Sequence, residues 1–313
     1  MKRMEYSRRA FLQSLAVGGT ACALGFRPRY SWAVEGSGAV SLKLAFFTDV
    51  HTRLEWDTPE ALGQAAESIN ARKPDFIIGG GDYITDGFQS SAETVNPRWE
   101  AYMEKMHRVF EAPVFPAIGN HDLVAARPED GTEAAPDPRA IFRSRFGVEN
   151  TYRSWDAAGY HFILLDSIQI SDDDLKYHGV IGPEQMDWLK TDLARVPTAM
   201  PVVVVSHLPF LTGFYQATDG STVAAPKNRV LVNNREVLQL FEKHNLILVL
   251  QGHLHVNEML RWRNTTFITG GAICAKWWRG PWQGTEEGFG LVTFRGNQVD
   301  WEYVDYGWTA RRP

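Results

Sequence analysis

Asn120, His121 and Asp122 stand side by side behind an apolar approach and a glycine, in the run PAIGNHD over residues 116–122. An amide, an imidazole and a carboxylate at one corner can bind a cation, move a proton or orient one another. The glycine lets the backbone turn and come close to whatever is bound. Asn, Asp and Gly also favour plain turns, so this corner alone does not make a site. Four other apolar runs end in the same manner. Residues 44–50 lead to Asp49 and His51, 76–81 to Asp82, 202–205 to His207, and 246–250 to His253 and His255. Five of the nine histidines fall at these ends, too many for chance placement.

Asp49, His51, Asp82, Asn120, His207, His253 and His255 offer oxygen or nitrogen and no sulfur, a set suited to Mn, Fe or Zn. Seven ligands exceed what one tetrahedral ion takes and fit two ions that share a carboxylate. Two ions about 3.5–4 Å apart can clamp a phosphoryl group and turn a bridging water into a hydroxide nucleophile. The plain alternatives are helix caps for Asp49 and Asp82 and a buried histidine bonded to backbone for His207.

Such residues converge if the runs before them are strands, because ligands of open α/β sheets bind at the carboxyl ends. Apolar runs predict strands over 42–47, 75–78, 114–118, 162–165, 202–205 and 246–250, with four valines at 202–205 that read as covered on both faces. Helical spacing is expected over 59–71, 97–110, 183–195 and 234–244. A hairpin is expected over 151–166 with its turn at 156–159, and long loops over 125–139 and 212–227. From Glu258 onward the pattern is all β, with strands near 259–262, 266–269, 289–294 and 299–304.

The formal net charge is −5, and the first 33 residues carry six Lys or Arg against one acid, so the remainder stands at −10. An acidic body argues against nucleic acid as a partner, since such binding neutralises phosphates with Lys and Arg. A small phosphoester substrate is compatible, because bound cations supply the positive charge locally. Only Cys274 lies beyond that basic segment, which excludes an intrachain disulfide there.

In order, DVH at 49–51, GGGD at 79–82, GNHD at 119–122, SH at 206–207 and GHLH at 252–255 resemble the signature of the calcineurin-like metallophosphoesterases. The resemblance implies a four-layer α/β sandwich of two mixed β-sheets flanked by helices, over residues 42–313 with a β-rich C-terminal part. It further implies two divalent or mixed-valence ions. One would be held by Asp49, His51, Asp82 and His255, the other by Asp82, Asn120, His207 and His253, with Asp82 bridging. His121 would then donate to the leaving oxygen and Asp122 would orient its ring. Purple acid phosphatases of similar plan place a metal-bound tyrosine where this chain has Thr85, and Tyr83 should point the other way. The chain is therefore more similar to the branch with a histidine in the first motif, which includes bacterial cyclic-nucleotide phosphodiesterases. His107, His161, His178 and His244 lie outside the motifs and read as structural or surface residues.

Trp277, Trp278 and Arg279 are candidate substrate contacts, where an aromatic wall and a guanidinium could meet a base or sugar and its phosphate; packing of the tryptophans against the C-terminal strands is the preferred reading of the same residues. The N-terminal run Ser7-Arg8-Arg9-Ala10-Phe11-Leu12, an apolar stretch and Ser31-Trp32-Ala33 resemble a twin-arginine signal over 1–33, followed by a linker over 34–41. That implies the twin-arginine export machinery as a partner, a periplasmic or secreted location, and no stable span in the mature chain. The functional expectation is phosphoester hydrolysis, diester before monoester. A metal-binding module without turnover and a nuclease of the same superfamily are the alternatives.

Overall fold

The computed structural model describes residues 41–311, so the signal expected over 1–33 and all but the last residue of the linker expected over 34–41 lie outside the described residues. The chain runs β1 (Ser41–Phe47), α1 (Thr58–Ala71), β2 (Phe76–Gly79), α2 (Ala92–Tyr102) and β3 (Val114–Pro116). It continues through α3 (Ala140–Phe146), β4 (Arg153–Ala157), β5 (Tyr160–Leu165), β6 (Ile168–Ile170) and β7 (Tyr177–Gly179). Then come α4 (Pro183–Leu193), β8 (Pro201–Ser206), α5 (Phe214–Thr218), α6 (Asn234–Leu240) and β9 (Asn245–Gln251). The last strands are β10 (Glu258–Trp262), β11 (Thr265–Thr269), β12 (Gly288–Arg295) and β13 (Gln298–Asp305).

One sheet has the order β13-β12-β1-β2-β3 and the other β10-β11-β9-β8-β5-β4, while β6 and β7 form a separate ribbon. Both large sheets are mixed. Parallel pairs β1/β2 and β2/β3 run from the middle of one sheet to its β3 edge, and β5/β8, β8/β9 and β9/β11 form the inner part of the other. The two-residue period of a strand sorts the core. Leu42, Leu44 and Phe46 of β1 meet Phe162, Leu164, Val203, Val205, Leu248 and Leu250 between the sheets. Ala45 and Phe47 face outward under Ala61, Leu62, Ala65 and Ile69 of α1. Val202 and Val204 face outward under Leu189 and Leu193 of α4 and Val237 of α6, so the valine run is covered on both sides as expected. Helix, sheet, sheet and helix are the four layers.

The helix expected over 97–110 begins at Ala92, because Ser91 caps it by accepting the Thr94 N–H at 3.3 Å. Pro97 sits inside it, and the last turn widens to a π turn over Met103–His107. The 234–244 helix stops at Leu240, and β3 is shorter than expected. The hairpin turn narrows to Ala158 and Gly159. Helices α3 and α5 and the β6/β7 ribbon add to what the patterning announces. The C-terminal strands divide, β10 and β11 joining one sheet and β12 and β13 the other.

Candidate metal centre

The carboxyl ends of β1, β2, β3, β8 and β9 deliver all seven expected ligands to one edge of the sandwich. The two sheets are tied together there: Ile273 N donates to Thr48 O at 3.0 Å, and His253 N donates to Asp49 Oδ2 at 2.9 Å. Thr48 Oγ1 donates to that same carboxylate oxygen at 2.7 Å. The other oxygen, Oδ1, faces His255 Nε2 at 3.2 Å and is buried without a hydrogen bond of good geometry.

His51 Nε2 lies 3.1 Å from His255 Nε2, 3.5 Å from Asp82 Oδ2 and 3.7 Å from Asp49 Oδ1. On the other side His207 Nε2 lies 3.1 Å from Asp82 Oδ2 and 3.3 Å from His253 Nδ1. Asp82 Oδ2 therefore belongs to both groups.

Outer ring nitrogens set the tautomers. His207 Nδ1 donates to Gly80 O at 2.8 Å, His255 Nδ1 to Ala275 O at 2.6 Å, and His253 Nε2 meets Asn228 O at 3.1 Å. A nitrogen facing a carbonyl carries the proton, so the inward nitrogens present lone pairs, the form in which imidazole binds metal. His51 Nε2 lies 3.1 Å from the His255 Nε2 lone pair, His51 Nδ1 is buried without a partner, and Asn120 Oδ1 is buried without a donor. Cations are what such a donor set lacks, so the residues fit a pair of metal ions.

The backbone bends hard to achieve this. Asp49, His51, Asp82, His253 and His255 have φ of 52°, 44°, 57°, 71° and 58°, in the left-handed region. Side chains there cost on the order of 1–3 kcal/mol each and persist only where the surroundings dictate them. Gly119 is different: its φ of −109° is open to any residue. It is needed for close approach, since a Cβ would stand 2.2 Å from Asp82 Oδ1.

His121 packs edge-on to His51, ring centroids 4.7 Å apart. The expectation that Asp122 orients its ring is corrected. Asp122 Oδ2 accepts the N–H groups of Asp82 and Gly119, at 2.8 and 2.9 Å, and Oδ1 accepts that of Tyr83 at 2.8 Å. Burial and the Asp82 charge push its carboxyl up to about 8 against those amides. The His121 ring is held instead by Asp86, whose N–H donates to Nδ1 at 3.0 Å. A backbone group does this work because the amides of the preceding turn occupy both Asp122 oxygens.

Of the residues expected to meet substrate, Trp277 flanks the cluster, its ring centroid 4.0 Å from His51 and 5.3 Å from His121. Trp278 is corrected to a core residue: it is buried, and its Nε1 donates to His51 O at 3.0 Å. Arg279 is exposed and makes no hydrogen bond, ion pair or ring contact with the cluster among the described residues. Tyr83 points away into Trp99, Tyr102, Phe142 and Phe146, as its position one residue after Asp82 requires. Cys274, a sulfur the expected ligand set does not include, adjoins the cluster: its Sγ is 3.7 Å from His255 Nδ1 and lies within 4.8 Å of ring nitrogens of both His51 and His255. His161 and His178 pair with aspartates elsewhere, and His107 packs on Tyr102 and Phe146. Asp86, Asn228 and Arg229 adjoin the cluster without a sequence signal, the first two through their backbones.

The family model described as calcineurin-like phosphoesterase matches residues 42–257. Purple acid phosphatase 15 of Arabidopsis thaliana is 25% identical over 204 residues, covering 59% of this chain and 36% of that protein. The chain spans well under half the length of the curated relatives it matches, 36%, 34% and 39% of three of them. A dimetal phosphatase from Danio rerio superposes with a TM-score of 0.60 at 15% identity, covering 85% of this chain and 99% of that one. A purple acid phosphatase from yellow lupin seeds superposes with a TM-score of 0.58 at 16% identity, covering 86% of this chain and 52% of that one. At such identities the superpositions establish the fold.

Proposed function

The chain belongs to the calcineurin-like phosphoesterase family, and on that premise we propose that it is an exported hydrolase of phosphoesters with a dinuclear metal centre. Its preferred substrates are phosphodiesters, cyclic nucleotides among them, before phosphomonoesters. The observation that carries the reading is Asp82 Oδ2, within 3.5 Å of His51 Nε2 and 3.1 Å of His207 Nε2, a carboxylate shared by two groups of imidazole nitrogens. Asp49, His51, Asp82 and His255 would hold one ion and Asp82, Asn120, His207 and His253 the other, with Mn, Fe or Zn compatible with these donors. Bound there, the pair supplies clamping of the phosphoryl group and activation of water.

The remaining roles belong to the chain's own groups. His121 accepts from Asp86 through Nδ1, so its proton sits on Nε2, placed to donate to a leaving oxygen as charge develops on it. Asp122 positions the turn bearing Asp82 and Asn120 by gathering three amides. Trp277 covers His51 and keeps water off that face. The diester preference rests on His51 in the first motif and on Thr85 where a purple acid phosphatase carries tyrosine. Monoester hydrolysis is the second reading, favoured by the purple acid phosphatases among the relatives. Export rests on the Arg8-Arg9 signature, and lysine at both positions should keep the protein in the cytoplasm.

The test is hydrolysis of bis-(p-nitrophenyl) phosphate and p-nitrophenyl phosphate by the signal-free protein loaded with Mn²⁺, beside Asp82→Ala and His121→Ala. The diester should be cleaved faster, both variants should lose activity, and His121→Ala should still bind metal. Faster monoester cleavage would install the second reading. Full metal loading with no turnover of either ester would leave a binding module.

A further inference from the structure

We infer that Arg229 is an anion clamp of this centre, engaging a phosphate oxygen of the substrate beside the metal cluster; the inference rests on the phosphoesterase reading above. Arg229 stands on the segment after α5, which is fixed by a frame of backbone bonds. Gly179 N donates to Lys227 O at 2.8 Å, Val232 N to Gly179 O at 2.7 Å, and Leu231 N to Pro209 O at 2.8 Å. Glycine is required at that crossing, where a Cβ would lie 2.1 Å from Val230 O. Tyr177, in the same strand as Gly179, is buried with its ring 6.4 Å from that of His253. These contacts form a wall that holds Asn228 and Arg229 against His253.

On that wall one nitrogen meets two groups. His253 Nε2 lies 3.1 Å from Asn228 O and 3.2 Å from Arg229 Nη1. It can donate to the carbonyl or accept from the guanidinium, and not both. Nδ1 of the same ring faces His207 Nε2 inside the cluster, so a cation there takes the Nδ1 lone pair and the proton stays on Nε2. Asn228 O then keeps its hydrogen bond, and the guanidinium is left with N–H against N–H.

Arg98, Arg139 and Arg145 each hold an acid, whereas Arg229 forms no ion pair among the described residues. The groups its charge reaches are Tyr177, Tyr215 and His253, and its side chain is exposed. A planar fork of donors with no acid to bind, beside a phosphoryl site, suits an anionic phosphate oxygen. That oxygen belongs either to the scissile group or to a second phosphate next to it.

The test is calorimetric binding of inorganic phosphate and of propane diphosphonate to the Mn²⁺-loaded signal-free protein. Wild type, Arg229→Met and Arg229→Lys are compared, with metal content measured in each. Arg229→Met should weaken binding about ten- to a hundredfold, the scale of a lost charge-assisted hydrogen bond, and Arg229→Lys should weaken it less. All three should hold the same metal. Equal losses for both ligands assign the contact to the scissile group, and a loss confined to the diphosphonate assigns it to a second phosphate. Affinities within about twofold of wild type in Arg229→Met would overturn the inference. So would a fall in metal content that accounts for the lost affinity. The phosphoesterase reading fails separately, if wild type binds both anions through Arg229 yet cleaves neither nitrophenyl ester.

Discussion

Asp122 and Asp82 are joined through backbone: Oδ2 of Asp122 accepts the Asp82 N–H at 2.8 Å. The same carboxylate takes the amides of Tyr83 and Gly119. Asp122→Asn keeps the shape and removes acceptor capacity, so one amide loses its partner. A loss of about 1.5–3 kcal/mol in urea unfolding is expected, together with reduced metal content. If Asp122 acted on the His121 ring, kcat would fall with stability and metal content intact.

Trp277 and Trp278 are neighbours with opposite duties. Trp278→Ala opens a cavity in the core and frees His51 O, so a destabilisation of about 3–5 kcal/mol is expected. Trp277→Ala should cost less than about 1 kcal/mol and raise KM for an aromatic diester. Thermal unfolding and steady-state kinetics separate the two. A stable, KM-impaired Trp278→Ala would reverse the assignment.

Gly119→Ala places a methyl group 2.2 Å from Asp82 Oδ1. Overpacking of this kind costs about 1–3 kcal/mol, and here the group displaced is the shared carboxylate. Metal analysis should show fewer than two bound ions. Gly182→Ala is the control, since nothing lies within 4 Å of a Cβ there. It should retain both ions.

His161 is clasped between Asp156 Oδ1, at 2.6 Å, and Asp192 Oδ2, at 2.9 Å. Burial favours the neutral ring, but the two carboxylates outweigh it and push the pKa from 6.5 up to about 9. The folded chain thus holds this proton more tightly than the unfolded one. The stabilisation is complete below 6.5 and is lost as pH rises through about 9. The urea midpoint of wild type should fall across that interval more steeply than that of His161→Asn. Parallel curves for the two proteins would remove the claim.

The centre is legible where a side chain sits at a strand end. Apolar runs before Asp49, Asp82, Asn120, His207 and His253 announce parallel strands, and parallel strands bring their carboxyl ends together. What escaped reading acts through backbone or through short pairing. Asp86 contributes an N–H presented by a φ of 58°, and Asn228 a carbonyl, neither of which depends on residue type. The strands β6 and β7 have three residues each, too few to show alternation, yet β7 pins the segment that carries Arg229. Trp277 and Trp278 both take left-handed φ, 55° and 65°, so strand alternation cannot tell which ring turns inward.

The ligands come from both sheets, and His51 and His255, whose ring nitrogens touch, are 204 positions apart in the chain. Asp49, His51, Asp82 and Asn120 follow strands of one sheet and His207, His253 and His255 follow strands of the other, so neither sheet alone carries the full candidate set for either ion. A metal ion therefore meets its full set of donors only after the sheets have closed on one another, and occupancy serves as a certificate of completed folding. Such an ion would also join residues 204 positions apart, and by binding only the folded arrangement it would stabilise that arrangement by mass action.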